Sequence, residues 1–107
     1  MSEDEINKAI AKICGWKNLA FDVWHNGTVG VLPTNKDVRS KIPNYCNDLN
    51  AMHEAEKFLF LKKMAHRYFL HLADFWKGNQ SDYYFHSTAR QRAEAFLRTL
   101  GKWEEAK

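Results

Sequence analysis

Ile42-Pro43-Asn44-Tyr45-Cys46-Asn47-Asp48-Leu49-Asn50-Ala51-Met52-His53-Glu54-Ala55-Glu56-Lys57-Phe58-Leu59 is the stretch whose reading decides the fold. An irregular approach rich in Pro and Asn gives way to strong helix formers, so the stretch reads as a loop feeding a buried helix. Asn47 or Asp48 supplies the N-cap. Leu49, Met52, Ala55 and Leu59 recur on one helical face that predicts the core side, while Asn50, Glu54 and Lys57 point away from it. His53 and Glu56 fall at the margin of that stripe, which makes them the polar residues of this helix nearest to any cleft beside the core.

Beyond this helix, Leu61, Met64, Ala65, Tyr68, Leu72 and Phe75 repeat at helical spacing on a new phase, which predicts a break near Phe60. Gly78-Asn79-Gln80-Ser81 reads as a turn, and the aromatic run Asp82-Tyr83-Tyr84-Phe85-His86 as a short strand. Thr88 with Gln91 is a capping box. It opens a helix with Ala89, Ala93, Phe96, Leu97 and Leu100 on its apolar face, and Gly101 stops it. Arg90, Glu94 and Arg98 follow each other at i,i+4 spacing along the outer side. Trp103 is expected to fold back as an anchor, with a frayed tail from Glu104 to Lys107.

Toward the N-terminus, Thr34 to Cys46 reads as a basic loop, long enough to suggest a functional or mobile connection. Before it, Leu19 to His25 and Thr28 to Leu32 form two runs rich in Val, Phe and Trp. Asn26-Gly27, between them, favours a type I′ hairpin turn. Alternation sets Phe21 and Val23 on one face and Asp22 and Trp24 on the other, leaving Trp24 either exposed or covered by a second layer. Pro33 ends the second strand. The chain opens with another capping box, Ser2 with Glu5, and a helix whose Ile6, Ala9, Ile10 and Ile13 share a face before Gly15 ends it.

The 107 residues suit one domain with a core that needs no staples. An apolar share of 45% and an aromatic share of 14% exclude a disordered chain. Between Lys36 and Arg67 the chain has seven basic residues (Lys36, Arg39, Lys41, Lys57, Lys62, Lys63, Arg67) and four acids (Asp37, Asp48, Glu54, Glu56), which accounts for the whole net charge of +3. Cys14 and Cys46 form no C-x-x-C pair and read as reduced buried thiols. The acidic start and the absence of a long apolar run lead to the expectation of a soluble intracellular protein, with no membrane partner.

The catalytic templates fail one by one. His53-Glu54 lacks the second histidine of H-E-x-x-H, since Lys57 stands there. The five histidines and two cysteines share no local ligand spacing, so no metal or other cofactor is expected. No serine sits in a G-x-S-x-G elbow, and Gly27 and Gly30 belong to the hairpin rather than to a phosphate loop. His53 with Glu56 remains as an acid–base couple, more simply read as structural. For binding, Arg39, Lys41, Tyr45, His86, Arg90 and Arg92 stand near two helix N-termini, where backbone donors and cations suit an anion such as a nucleotide phosphate. Against this, Arg92 has the plainer role of a bridge to Asp48 or Glu56.

Three blocks carry a resemblance. Glu5-Ile6-Asn7-Lys8-Ala9-Ile10-Ala11 with Cys14-Gly15-Trp16, the Ile42 to Ala55 portion of the central stretch, and Thr88-Ala89-Arg90-Gln91-Arg92-Ala93-Glu94-Ala95-Phe96-Leu97-Arg98-Thr99-Leu100-Gly101-Lys102-Trp103-Glu104 together resemble the phage ABA-sandwich domain family, and the three blocks keep their order. The resemblance implies a small bacteriophage or prophage protein with a sheet layered between helices. The resulting expectation is an α+β domain: N-terminal helix, β-hairpin, central helix or helix pair, short strand and C-terminal helix, the helices layered on a small antiparallel sheet. Its expected role is that of a non-enzymatic accessory protein in the bacterial cytoplasm, which binds and inhibits or sequesters a host protein or a signalling nucleotide in anti-defence. The alternative is nucleic-acid binding through the basic Lys36–Arg67 region.

Overall fold

The computed structural model describes residues 1–74 and 87–104. Among them are four helices and a three-stranded antiparallel sheet, an α+β architecture as the sequence predicts. The expected aromatic strand 82–86, the preceding turn, Phe75, His86 and the last three tail residues lie outside the described residues.

Helix α1, Glu3–Ile13, starts at the expected capping box, with Glu5 N–H donating to Ser2 Oγ and Ser2 N–H to Glu5 Oε1, both at 3.2 Å. It ends where Gly15 takes φ +103°, its N–H on Lys12 O and that of Trp16 on Ala11 O at 3.0 Å, which is a Schellman ending. Ile6, Ile10 and Ala11 are buried, while Ala9, Ile13 and Cys14 lean on the core's edge.

Strands β1, Lys17–Asp22, and β2, Gly27–Val31, form the expected hairpin, but the turn is different. Asp22 pairs with Gly27, so four residues, Val23 to Asn26, make the connection rather than Asn26-Gly27. Of that pair only Asn26 is left-handed, at φ +51°. The Asp22 carboxylate decides the outcome by accepting from Trp24 N–H at 2.8 Å and bonding His25 Nδ1 at 3.0 Å. An Asx-type lock thus wins over the positive-φ preference of Asn-Gly.

The connection read as a loop contains a third strand, β3, Arg39–Lys41, paired with β2 through Val29↔Lys41, Gly30↔Ser40 and Val31↔Arg39. Its three polar residues carry no alternation signal; the ladder to β2 specifies it. Lys41 lays its stem across Gly27, where an added Cβ would meet Lys41 Cε at 2.7 Å.

Helix α2, Leu49–Leu61, is capped by Asp48, which accepts from Asn50 N–H and Ala51 N–H. Met52, Ala55 and Leu59 are buried as expected, but Leu49 is largely exposed at the helix start, and Glu56 occupies the buried face. The expected break follows: Lys63 takes φ +58°, and Met64 N–H bonds Leu59 O at 3.0 Å. Helix α3, Ala65–Ala73, buries Tyr68 and Leu72, whereas Leu61, before the break, points to solvent.

Helix α4, Ala89–Thr99, starts at the Thr88–Gln91 capping box and ends at Gly101, φ +69°. Ala89, Ala93, Ala95, Phe96 and Leu97 are buried, and α1, α2 and α3 all pack against this helix. The spatial centre of the molecule is therefore α4 rather than α2, because its small residues let neighbours approach on several sides. Trp103 folds back as expected, with Arg90 and Arg98 over its ring at 5.7 and 5.2 Å.

Candidate functional site

The central helix places its acid–base couple at a core boundary. Glu56 lies one turn after His53 and is 1% exposed, so its carboxylate must be satisfied inside the protein. Oε1 stands 2.9 Å from His53 Nδ1, while Oε2 accepts from Tyr68 OH at 2.6 Å and from Arg92 Nη1 at 3.0 Å. Arg92 Nε donates to Ser87 O at 3.2 Å. Burial first, and then the Glu56 charge, push the Tyr68 hydroxyl well above the ordinary phenol range, so it stays a donor. This network ties α2, α3 and α4 together and gives Arg92 the bridging role that the sequence offered as the plainer reading. His53 keeps 47% of its side chain in solvent, with Nδ1 turned to the carboxylate. That geometry can orient an acid or base. Among the described residues no three His, Cys, Asp or Glu side chains are grouped to hold a metal ion.

The five anion-binding candidates that lie among the described residues are not brought into one site. Arg39 and Lys41 extend from β3, Arg39 Nη2 donating to Asn18 O at 3.3 Å. Lys41 borders a cleft of about 340 Å³ whose other walls include Glu3, Asp4, Asn7, Thr28 and Asn44. Two carboxylates oppose an anion there. Tyr45 is buried, and burial, the largest cause, pushes its pKa up. Arg90 turns to Cys46 Sγ at 3.8 Å and to Trp103, while Arg92, two residues on and on another side of the helix, is committed to Glu56. His86 lies outside the described residues.

The basic span divides too. Lys36, Arg39 and Lys41 sit at the sheet; Lys57, Lys62, Lys63 and Arg67 sit around the α2–α3 corner, all seven exposed. Lys57 pairs with Glu54 at 3.0 Å, and Lys62 lies over the Phe58 ring.

The surface that stands out is the hairpin tip. Trp24 is 95% exposed, Val23 79% and Phe21 68%. The sequence reading left Trp24 between exposure and cover; what it lacked was the Asp22 lock that turns the loop outward. Asp22 is held below the usual carboxylate range, chiefly by its bond to His25.

Comparison with protein-family models, with curated proteins and with solved structures gave no match.

Proposed function

We propose that the chain is a non-enzymatic binding protein whose contact surface is the tip of the β1–β2 hairpin. In line with the likeness to phage ABA-sandwich domains, we take it as a phage accessory protein that binds and inhibits or sequesters a host defence protein in the bacterial cytoplasm. One observation carries the reading: Trp24, 95% exposed, projects beside Val23 and Phe21 from a loop held by Asp22. Tryptophan dominates interface hot spots, and a loop already fixed loses little entropy on binding. The scatter of the five described anion candidates favours a macromolecular partner over a signalling nucleotide. Bacterial host lysate passed over the immobilised chain tests this. A reproducible host protein retained by the wild type and lost with Trp24→Ala supports the reading, provided the variant melts within a few degrees of the wild type; equal capture by both removes the hairpin from the contact.

The second reading, nucleic-acid binding, draws on the exposure of all seven cations of the Lys36–Arg67 span. Phosphate contacts release counterions, so such binding must weaken steeply with salt. A gel shift at low ionic strength that fades at moderate salt supports it, and no shift even at low salt removes it.

A further inference from the structure

A groove outside all these residues runs along α1. Glu5, Lys8, Ala9, Lys12 and Ile13, at three- and four-residue spacing, share one face of that helix. The segment after α4 comes back beside it, where the Met1 amine donates to Glu104 O at 3.2 Å and Lys102 lines the same wall. The space enclosed is about 430 Å³, within the size range of small-molecule sites.

Its chemistry is graded along its length. Ala9 and Ile13 give an apolar floor. Lys12 and Lys102 are exposed and, among the described residues, have no acidic side chain within ion-pair distance, whereas Lys8 is already paired with Asp4 at 2.9 Å. Glu5 and Glu104 stand at the end marked by the Met1 contact. At that end the two carboxylates stand with the Met1 ammonium and the already paired Lys8, so the charges there offset one another, and the complementary molecule carries one anionic head at the Lys12 end and a neutral tail.

We propose that this groove binds a medium-chain aliphatic carboxylate, its head between the Lys12 and Lys102 ammonium groups and its carbons along Ile13 and Ala9. From Ile13 back to Glu5 the helix rises about 12 Å at roughly 1.5 Å per residue, which sets the length of tail that fits. The site is separate from the hairpin tip, and its occupancy does not depend on the protein-binding reading.

Calorimetric titration of the full chain with decanoate, below its micelle concentration and at low salt, tests the assignment. Saturable one-to-one binding is expected. Decanol, which lacks the charge, and the ten-carbon dicarboxylate sebacate should each bind more weakly, on the order of tenfold. Lys12→Glu with Lys102→Glu should weaken decanoate by a similar factor and leave decanol unchanged; both side chains are exposed, and Lys12→Gln with Lys102→Gln keeps the same direction should the reversal disturb folding. No saturable binding of decanoate overturns the proposal. So does decanoate binding unaltered by both lysine pairs, or decanol binding as tightly as decanoate.

Discussion

Lys63 is the residue whose conformation most departs from what its side chain prefers. Three helices end in the same Schellman arrangement, with Gly15, Lys63 and Gly101 at the left-handed position. A β-carbon there costs about 1–2 kcal/mol, and glycine gives back about 0.5–1 kcal/mol through a freer unfolded chain. Lys63→Gly should therefore stabilise the domain by about 0.5–1 kcal/mol and raise Tm by about 2–6 °C in a circular-dichroism melt. An unchanged or lower Tm would mean that the lysine side chain makes an offsetting contact. A second residue-scale expectation concerns Cys14. Burial pushes its thiol from 9.0 up to about 11, against the partial relief of a Tyr45 hydrogen bond. Its folded pKa is raised, so its contribution is complete below the unfolded value and is lost as pH climbs from about 9 to about 11. Melting curves between pH 7 and 11 should fall across that window, and Cys14→Val should fall less steeply. Both glycine stops and both capping boxes were legible because their determinants lie within a few adjacent residues. The stop at Lys63 was legible only as a change of hydrophobic phase, since nothing in a lysine announces positive φ.

Among the elements, α4 packs against the other three described helices, and the Glu56 network ties α2 and α3 to it. Glu56→Gln removes the carboxylate charge that stands 3.0 Å from the Arg92 guanidinium, itself 3% exposed. The expected loss is about 3–5 kcal/mol in urea unfolding. Glu56→Leu combined with Arg92→Met removes both charges and should recover much of that loss, because a buried pair is often no better than an apolar substitute. If the double variant is as unstable as Glu56→Gln, then the bonds to Tyr68 and Ser87 carry the network instead. Helix existence, order and the α2–α3 break were all readable from periodicity. Strand β3 was not, because Arg39-Ser40-Lys41 becomes a strand through partners on β2 and not through its own residues. The hairpin was readable but its turn was not: Asp22 competes for the loop backbone from a position the Asn-Gly rule ignores. The pairing of Arg92 with Glu56 was foreseeable as one of two partners, yet the burial of Glu56 was not, since a glutamate at the edge of an apolar stripe usually stays wet.

Across the whole molecule, substitutions should separate into those that remove the fold and those that leave it intact. Met52 is fully buried on α2, so Met52→Asp sets an unpaired charge in the core at a cost of several kcal/mol, out of a typical total of about 5–15 kcal/mol. That variant should show no cooperative melt. Arg39→Ala and Lys41→Ala act differently, because β3 is held to β2 by its backbone while both side chains are exposed. Together they should shift Tm by no more than a few degrees, since exposed charges contribute little to stability. Their effect on binding discriminates between the two macromolecular partners. Nucleic acid needs the sheet-side cations, so the pair would weaken a low-salt gel shift and flatten its dependence on salt by about one unit of slope per lost contact. A protein held at Trp24 needs the apolar tip, so capture should survive Arg39→Ala with Lys41→Ala and vanish with Trp24→Ala. The reverse pattern would move the contact surface from the hairpin tip to the β3 edge. A collapse of the melt in the Arg39 and Lys41 variant would instead make β3 a support of the core, with the stem of Lys41 across Gly27 as the contact that was lost.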